Sequence, residues 1–164
     1  MKITMFLLVA ALFLRGELTI EIDEVKHLNG LYTGTLTYLD YTSNERETLP
    51  LIGNCYVEQK KLILEFTFNE SGKIIRHKYD LEFKNGTIYA DGALKLEEKE
   101  YNAVTKEFRL VLTERGKDGN EQKPCTFRYT VRYANDVFTM TKDVKFDGES
   151  AFFNRNEYKI TRLK

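Results

Sequence analysis

The sequence predicts an all-β protein, a single antiparallel up-and-down barrel of about eight to ten strands. Three observations lead there. Apolar residues recur at every second position in stretch after stretch from Gly30 onward, the period of a strand with one buried face. Turn-forming runs separate these stretches, among them Asn69-Glu70-Ser71-Gly72, Asn85-Gly86, Asn135-Asp136 and Asp147-Gly148, whose Gly and Asn residues tolerate the positive φ of tight hairpins. Aromatic residues make up 13% of the chain, as 11 Phe and 10 Tyr with no Trp, and such residues favour strands. So many strands in one open sheet would leave long edges, which closure removes; a flattened two-sheet sandwich is the alternative.

With 164 residues and two Pro, the chain has the length of one domain and no low-complexity linker. Lys and Arg number 25, as do Asp and Glu, so the formal charge is zero. A nucleic-acid partner calls for a basic face, and this balance argues against one.

Residues 1–16 read as a signal peptide. Lys2 supplies a basic start, and from Ile3 to Leu14 only Thr4 is polar. That run is shorter than the roughly 20 residues of a membrane-spanning helix; an uncleaved anchor is the competing reading. The expected location is extracytoplasmic, periplasmic or secreted, with no membrane span once the segment is removed. Residues 17–27 form a polar lead-in of helical or extended character, and residues 28–164 the barrel domain.

The first strand, Gly30–Tyr41, puts Tyr32, Gly34, Leu36, Tyr38 and Asp40 on its core face and Thr33, Thr35 and Thr37 outside. The second, Glu47–Gln59, aligns Leu49, Leu51, Gly53, Cys55 and Val57; Pro50 places an edge or a strand start there. In the third, Leu62, Leu64, Phe66 and Phe68 share a face. The fourth, Lys73–Lys84, alternates most cleanly, with Ile75, His77, Tyr79, Leu81 and Phe83 opposite Arg76, Lys78, Asp80, Glu82 and Lys84. A short strand, Thr87–Ala90, precedes a turn or bulge at Asp91-Gly92, and Ala93–Leu96 leads into the acidic stretch Glu97–Glu100, expected to be solvated. Strands follow at Thr105–Glu114, Cys125–Tyr133 and Val137–Phe146, and the last spans Ser150–Leu163. The ninth aligns Phe138, Met140, Lys142, Val144 and Phe146 on one face.

Asn29-Gly30-Leu31-Tyr32, Tyr38-Leu39-Asp40-Tyr41-Thr42-Ser43 and the C-terminal Phe153-Asn154-Arg155-Asn156-Glu157-Tyr158 together resemble lipocalin-like (calycin) barrels of the bacterial envelope, over about residues 28–164. Those barrels open with Gly-x-Trp, and a late Arg packs over the Trp to shut one end. The resemblance implies that Tyr32 replaces the Trp, with Arg155 or Arg162 as its stacking partner. It implies a fold and suggests ligand binding; fold-level analogy does not by itself establish function.

No motif for catalysis is present: no phosphate-binding Gly loop, no Gly-x-Ser-x-Gly elbow, no His-Glu-x-x-His. The protein is therefore expected not to be an enzyme, and no cofactor is implied. His27 and His77 are too few and too far apart for a His-rich metal site, so no metal is expected. Strand parity brings other groups inward, with Tyr38, Asp40, His77, Tyr79, Tyr129 and Lys142 as candidate ligand-binding residues. A buried Lys is costly unless paired or near water. Lys142 either meets a ligand carboxylate, pairs internally with Asp40, or snorkels out at a barrel mouth. For His77 the competing reading is a hydrogen-bonded core histidine. Cys55 and Cys125 face the core; they either form a disulfide, which an extracytoplasmic location permits, or remain two buried thiols. These residues point to a barrel that binds a small hydrophobic molecule, anionic if Lys142 receives it. The alternative is a structural or protein-interaction module of the envelope, with a filled barrel and no ligand; an unpaired sheet edge or an exposed apolar patch would favour it.

Overall fold

The computed structural model describes residues 18–90 and 92–164. The expected signal peptide lies outside them, as does Asp91 of the expected Asp91-Gly92 turn. Two short 3-10 turns, Ile22–Glu24 and Lys26–Leu28, precede ten strands: β1 Gly30–Asp40, β2 Glu45–Glu58, β3 Lys61–Glu70, β4 Lys73–Lys84, β5 Thr87–Tyr89, β6 Ala93–Tyr101, β7 Phe108–Asp118, β8 Lys123–Ala134, β9 Val137–Phe146 and β10 Phe153–Arg162. Each strand pairs with the next, and β1 pairs with β10 to close an antiparallel barrel. This is the up-and-down barrel that the alternation predicts.

The parity of β1 is as expected. Tyr32 is fully buried and Leu36 nearly so, whereas Leu31 is exposed. On β3, Leu64 and Phe66 are fully buried. Asn85 and Gly86 both have positive φ, at 52° and 74°, as a two-residue hairpin requires. Gly34 meets a different demand. A Cβ there would overlap the Lys159 carbonyl oxygen and lie 2.7 Å from Ile160 Cα, because β10 crosses close against β1.

Two elements depart from expectation. The strand expected at Thr105–Glu114 runs instead from Phe108 to Asp118. Its start is displaced by a tight turn in which Asn102 Oδ1 accepts the Val104 and Thr105 N–H groups and Lys106 takes a φ of 62°. The acidic stretch is not uniformly solvated either. A register shift between Leu96 and Glu98 resets the alternation, as a bulge does, and brings Lys99 opposite the buried Leu110. Lys99 Nζ then reaches Glu24 Oε2 and the Thr19 carbonyl, both at 2.7 Å.

That reach ties the lead-in across one end of the barrel. Ile20 N–H donates to the Gly86 carbonyl, and Ile20, Val25 and Leu28 bury their side chains in the main core. Burying Leu28 alone contributes roughly 2 kcal/mol. The lead-in therefore plugs the end where β1 begins.

The wall is not continuous in its upper half, away from this plug. β5 pairs with β4 only at Glu82–Lys84, and with β6 only through Ile88 and Tyr89. β6 pairs with β7 no higher than Thr113. Among the described residues, 73–81 of β4 thus pair only with β3, and 114–118 of β7 only with β8. A gap opens between them, with Ala90 and Gly92 at its sill. The inward residues of β4 register it: Ile75, Tyr79 and Leu81 are half-buried and His77 is exposed, whereas Phe83, below the gap, is buried.

Candidate functional site

The barrel interior is divided by aromatic rings. Phe66 and Tyr158 stack with centroids 4.5 Å apart, and Tyr79 meets Tyr158 edge-on at 6.0 Å. The buried Tyr158 hydroxyl lies 2.8 Å from His77 Nδ1 and 3.1 Å from the Tyr79 hydroxyl. Three polar groups thus form one hydrogen-bonded chain across the interior. Burial raises the pKa of both tyrosines. It lowers that of His77, against a smaller opposing pull from the Glu70 carboxylate. Desolvation is the largest cause at each of the three groups and favours the uncharged form.

Cavities lie on either side of this chain. One, of about 140 Å³, has Tyr38, Phe68, Glu70, His77, Arg155 and Tyr158 among its walls. The other, of about 130 Å³, is lined by Tyr79, Leu81, Leu94, Leu112, Tyr129 and Met140, with Ala90 and Glu114 on the side of the wall gap. This second space is mostly apolar. The Tyr129 hydroxyl donates to Glu114 Oε1 at 2.7 Å, which together with burial raises the Tyr129 pKa.

Lys142 stands one inward position above Met140 on β9, between Tyr129 and Asn156 on the flanking strands. Its ammonium lies 3.7 Å from the centre of the Phe127 ring, a cation–π contact, and it makes no ion pair among the described residues. Burial lowers its pKa; Asp118, Cys125 and Glu114 pull the other way, and Arg155 adds to the lowering.

Asp40 does not join this group. Its carboxylate accepts the Thr42 N–H at 2.8 Å and the Ser43 hydroxyl at 3.2 Å, so it shapes the turn after β1, and those bonds lower its pKa. The expected Lys142–Asp40 pair is therefore not formed. Tyr38 keeps its inward position, but its hydroxyl sits between the Glu47 and Glu70 carboxylates.

The two arginines suggested by the resemblance separate to opposite ends. Arg162 lies over the Tyr32 ring at 5.3 Å and donates to the Tyr32 hydroxyl at 2.8 Å and to the His27 and Asn29 carbonyls. Arg155, at the register shift in β10, lies over Tyr41 instead, at 4.1 Å. It donates to the Leu39 carbonyl and approaches Asp118 at 3.9 Å, while the Tyr41 hydroxyl donates to Asp118 at 2.9 Å. Tyr41, Asp118 and Arg155 thereby bridge β1, β7 and β10 across the far end. Cys55 and Cys125 are separate buried thiols, not a disulfide; burial pushes Cys55 up to about 12. His27 packs against Phe108 and Tyr133, and neither ring nitrogen has a hydrogen-bond partner among the described residues.

Sequence reasoning passed over Glu114, Glu70 and Tyr158. Glu114 was legible as the next inward position after Leu110 and Leu112. Tyr158 becomes significant only through the register of β10. Among the described residues, no cluster of three or more His, Cys, Asp or Glu could hold a metal ion, and no helix is long and apolar enough to cross a membrane. Comparison with protein-family models finds no match, and comparison with curated proteins finds no related sequence.

Proposed function

We propose that this chain is an extracytoplasmic, lipocalin-like barrel that binds a small, largely apolar group in its interior. The observation that carries this reading is the apolar cavity beside Leu81, Leu94, Leu112 and Met140, with the Tyr79 and Tyr129 hydroxyls set in its wall. A few polar groups in an apolar cavity are the usual composition of a ligand site. At about 130 Å³ it is well below the roughly 300 Å³ at which drug-sized ligand sites begin, and comparable to a cavity of about 150 Å³ that holds benzene. Lys142, one position above Met140, would receive an acidic head group on such a ligand. The location rests on the basic and apolar character of residues 1–16.

Toluene and benzoate test the reading. Both should shift the Met140 methyl signal in NMR titrations, and Lys142→Met should weaken benzoate while leaving toluene unchanged. If neither probe perturbs Met140, the interior is a filled core and the ligand reading fails. Fractionation of the native host with mass measurement of the recovered chain tests the location; a cytoplasmic chain that retains residues 1–16 would overturn it.

A second reading, a protein-interaction module, is favoured by the edge of β4 that the wall gap leaves unpaired.

A further inference from the structure

The two-residue turn Ser71-Gly72 joins Glu70 to Lys73, so Lys73 is hydrogen-bonded to β3. Alternation along the ladder then turns the backbone groups of Ile75, His77, Tyr79 and Leu81 toward β3 as well. The Phe83 N–H follows this phase, donating to the Lys60 carbonyl at 2.8 Å. The N–H and C=O groups of Ile74, Arg76, Lys78 and Asp80 consequently face the gap, where no strand of the described residues meets them. Glu82 and Lys84, next in the same series, meet β5.

We propose that this edge of β4 accepts an added strand from an extended acidic peptide, one of whose apolar side chains enters the cavity between Tyr79 and Leu112. The side-chain part rests on the cavity reading above; the backbone part does not. An added strand lies about 4.8 Å from its neighbour, within the space that the missing upper halves of β5 and β6 leave. Backbone pairing supplies affinity in such an arrangement, and pockets for alternate side chains supply selectivity. The cavity has the scale of one side chain, not of a long lipid. Tyr41, Asp118 and Arg155 bridge the far end and the lead-in plugs the other, so the gap is a lateral approach to the cavity that Ala90 and Glu114 flank.

Charge selects the partner. The outer face beside the gap carries Arg76 and Lys78 on β4 and Arg115 and Lys117 on β7. Lys78 is paired with Asp80 and Arg115 with Asp147; Arg76 and Lys117 make no ion pair among the described residues. Outward acidic side chains on the added strand would meet this surplus. A second copy of β4 paired about His77 would instead set Arg76 against Lys78, and like charges opposed across strands are destabilising.

The test uses an eight-residue peptide of alternating Glu and Thr with one central Thr replaced by Phe, titrated into isotope-labelled protein. Binding should shift and protect the amides of Ile74, Arg76, Lys78 and Asp80, and shift the Leu94, Leu112 and Met140 methyls. Phe→Ala in the peptide should weaken binding about tenfold or more, as should the paired protein variant Arg76→Glu, Lys78→Glu. Toluene binding without any peptide effect on β4 would overturn the strand-addition proposal while leaving the cavity reading intact. Amide shifts on β4 without methyl shifts would overturn the side-chain part. Equal binding of a Lys-for-Glu peptide would overturn the charge assignment.

Discussion

Arg162 and Tyr32 hold each other across the seam where the barrel closes. The Tyr32 hydroxyl donates to the Leu28 carbonyl at 2.7 Å and accepts from Arg162 Nη2 at 2.8 Å. The same guanidinium gathers the His27 and Asn29 carbonyls, so one side chain joins β10, β1 and the lead-in. Arg162→Ala should cost about 3 kcal/mol by urea denaturation, and Tyr32→Phe about 1–2 kcal/mol, because each leaves buried partners unpaired. A loss below about 0.5 kcal/mol for Arg162→Ala would show the lead-in to be held by packing alone.

Gly34→Ala should destabilise by about 3 kcal/mol or more, since the added methyl meets β10 backbone rather than a movable side chain and overpacking is costly even where neighbours can shift. Gly72→Ala is the control for a turn glycine with open space: nothing lies within 4 Å of a Cβ there, although its φ is +83°, so the cost should be near 1 kcal/mol. Denaturation midpoints of the two variants should differ clearly.

Both histidines have pKa values held below the ordinary 6.5, chiefly by desolvation, which at the partly open His77 ring the Glu70 carboxylate opposes. The unfolded chain therefore binds more protons than the folded one between those lowered values and 6.5. Stability from these sites should be full above about pH 7 and decline as pH falls through that window. For His27, Arg162 and Lys106 add to the lowering and a Glu24 backbone contact opposes it. NMR titration should place both imidazoles below 6.5, and His27→Gln should flatten the acid limb of the stability curve.

Cys55 and Cys125 should resist thiol reagents in the native state at pH 8 and both react on unfolding. Each is buried, and burial raises each pKa, so little reactive thiolate exists. Rapid native labelling of Cys125 would show that the end of the barrel around Phe127 and Val144 opens readily.

Lys142→Met should raise stability by about 1 kcal/mol at pH 7, since it exchanges a desolvated cation for an apolar chain of similar length. A marked loss in thermal unfolding would instead mean that the contact with Phe127 outweighs the desolvation.

Strand order and parity were legible because the alternation of β4, from Ile75 to Phe83, leaves no second reading of which face is inside. The short strand at Thr87 was also visible. Its consequence was not, because the gap depends on how high each strand reaches, and reach is set by register around the whole ring. Lys99 was hidden for a related reason: one bulge residue moves it from solvent to Glu24. Asp40 shares the parity of Tyr38, yet a strand's last residue can turn its carboxylate to the next two residues, which alternation cannot foresee. His77 and Tyr158 are distant in sequence, and only closure of the barrel sets them 2.8 Å apart.

The seam between β1 and β10 also governs how the chain reaches its fold. Tyr32 faces Arg162 across it, so the last pairing joins nearly opposite ends of the sequence, whereas every other pairing joins neighbours. Hairpins can form early and locally; closure must wait for the whole meander, and contacts of such long separation slow folding. Until the ends meet at Gly34, β1 and β10 are open edges able to pair with another chain. Crowded or overproduced chains should therefore be lost to association before closure rather than by unfolding after it.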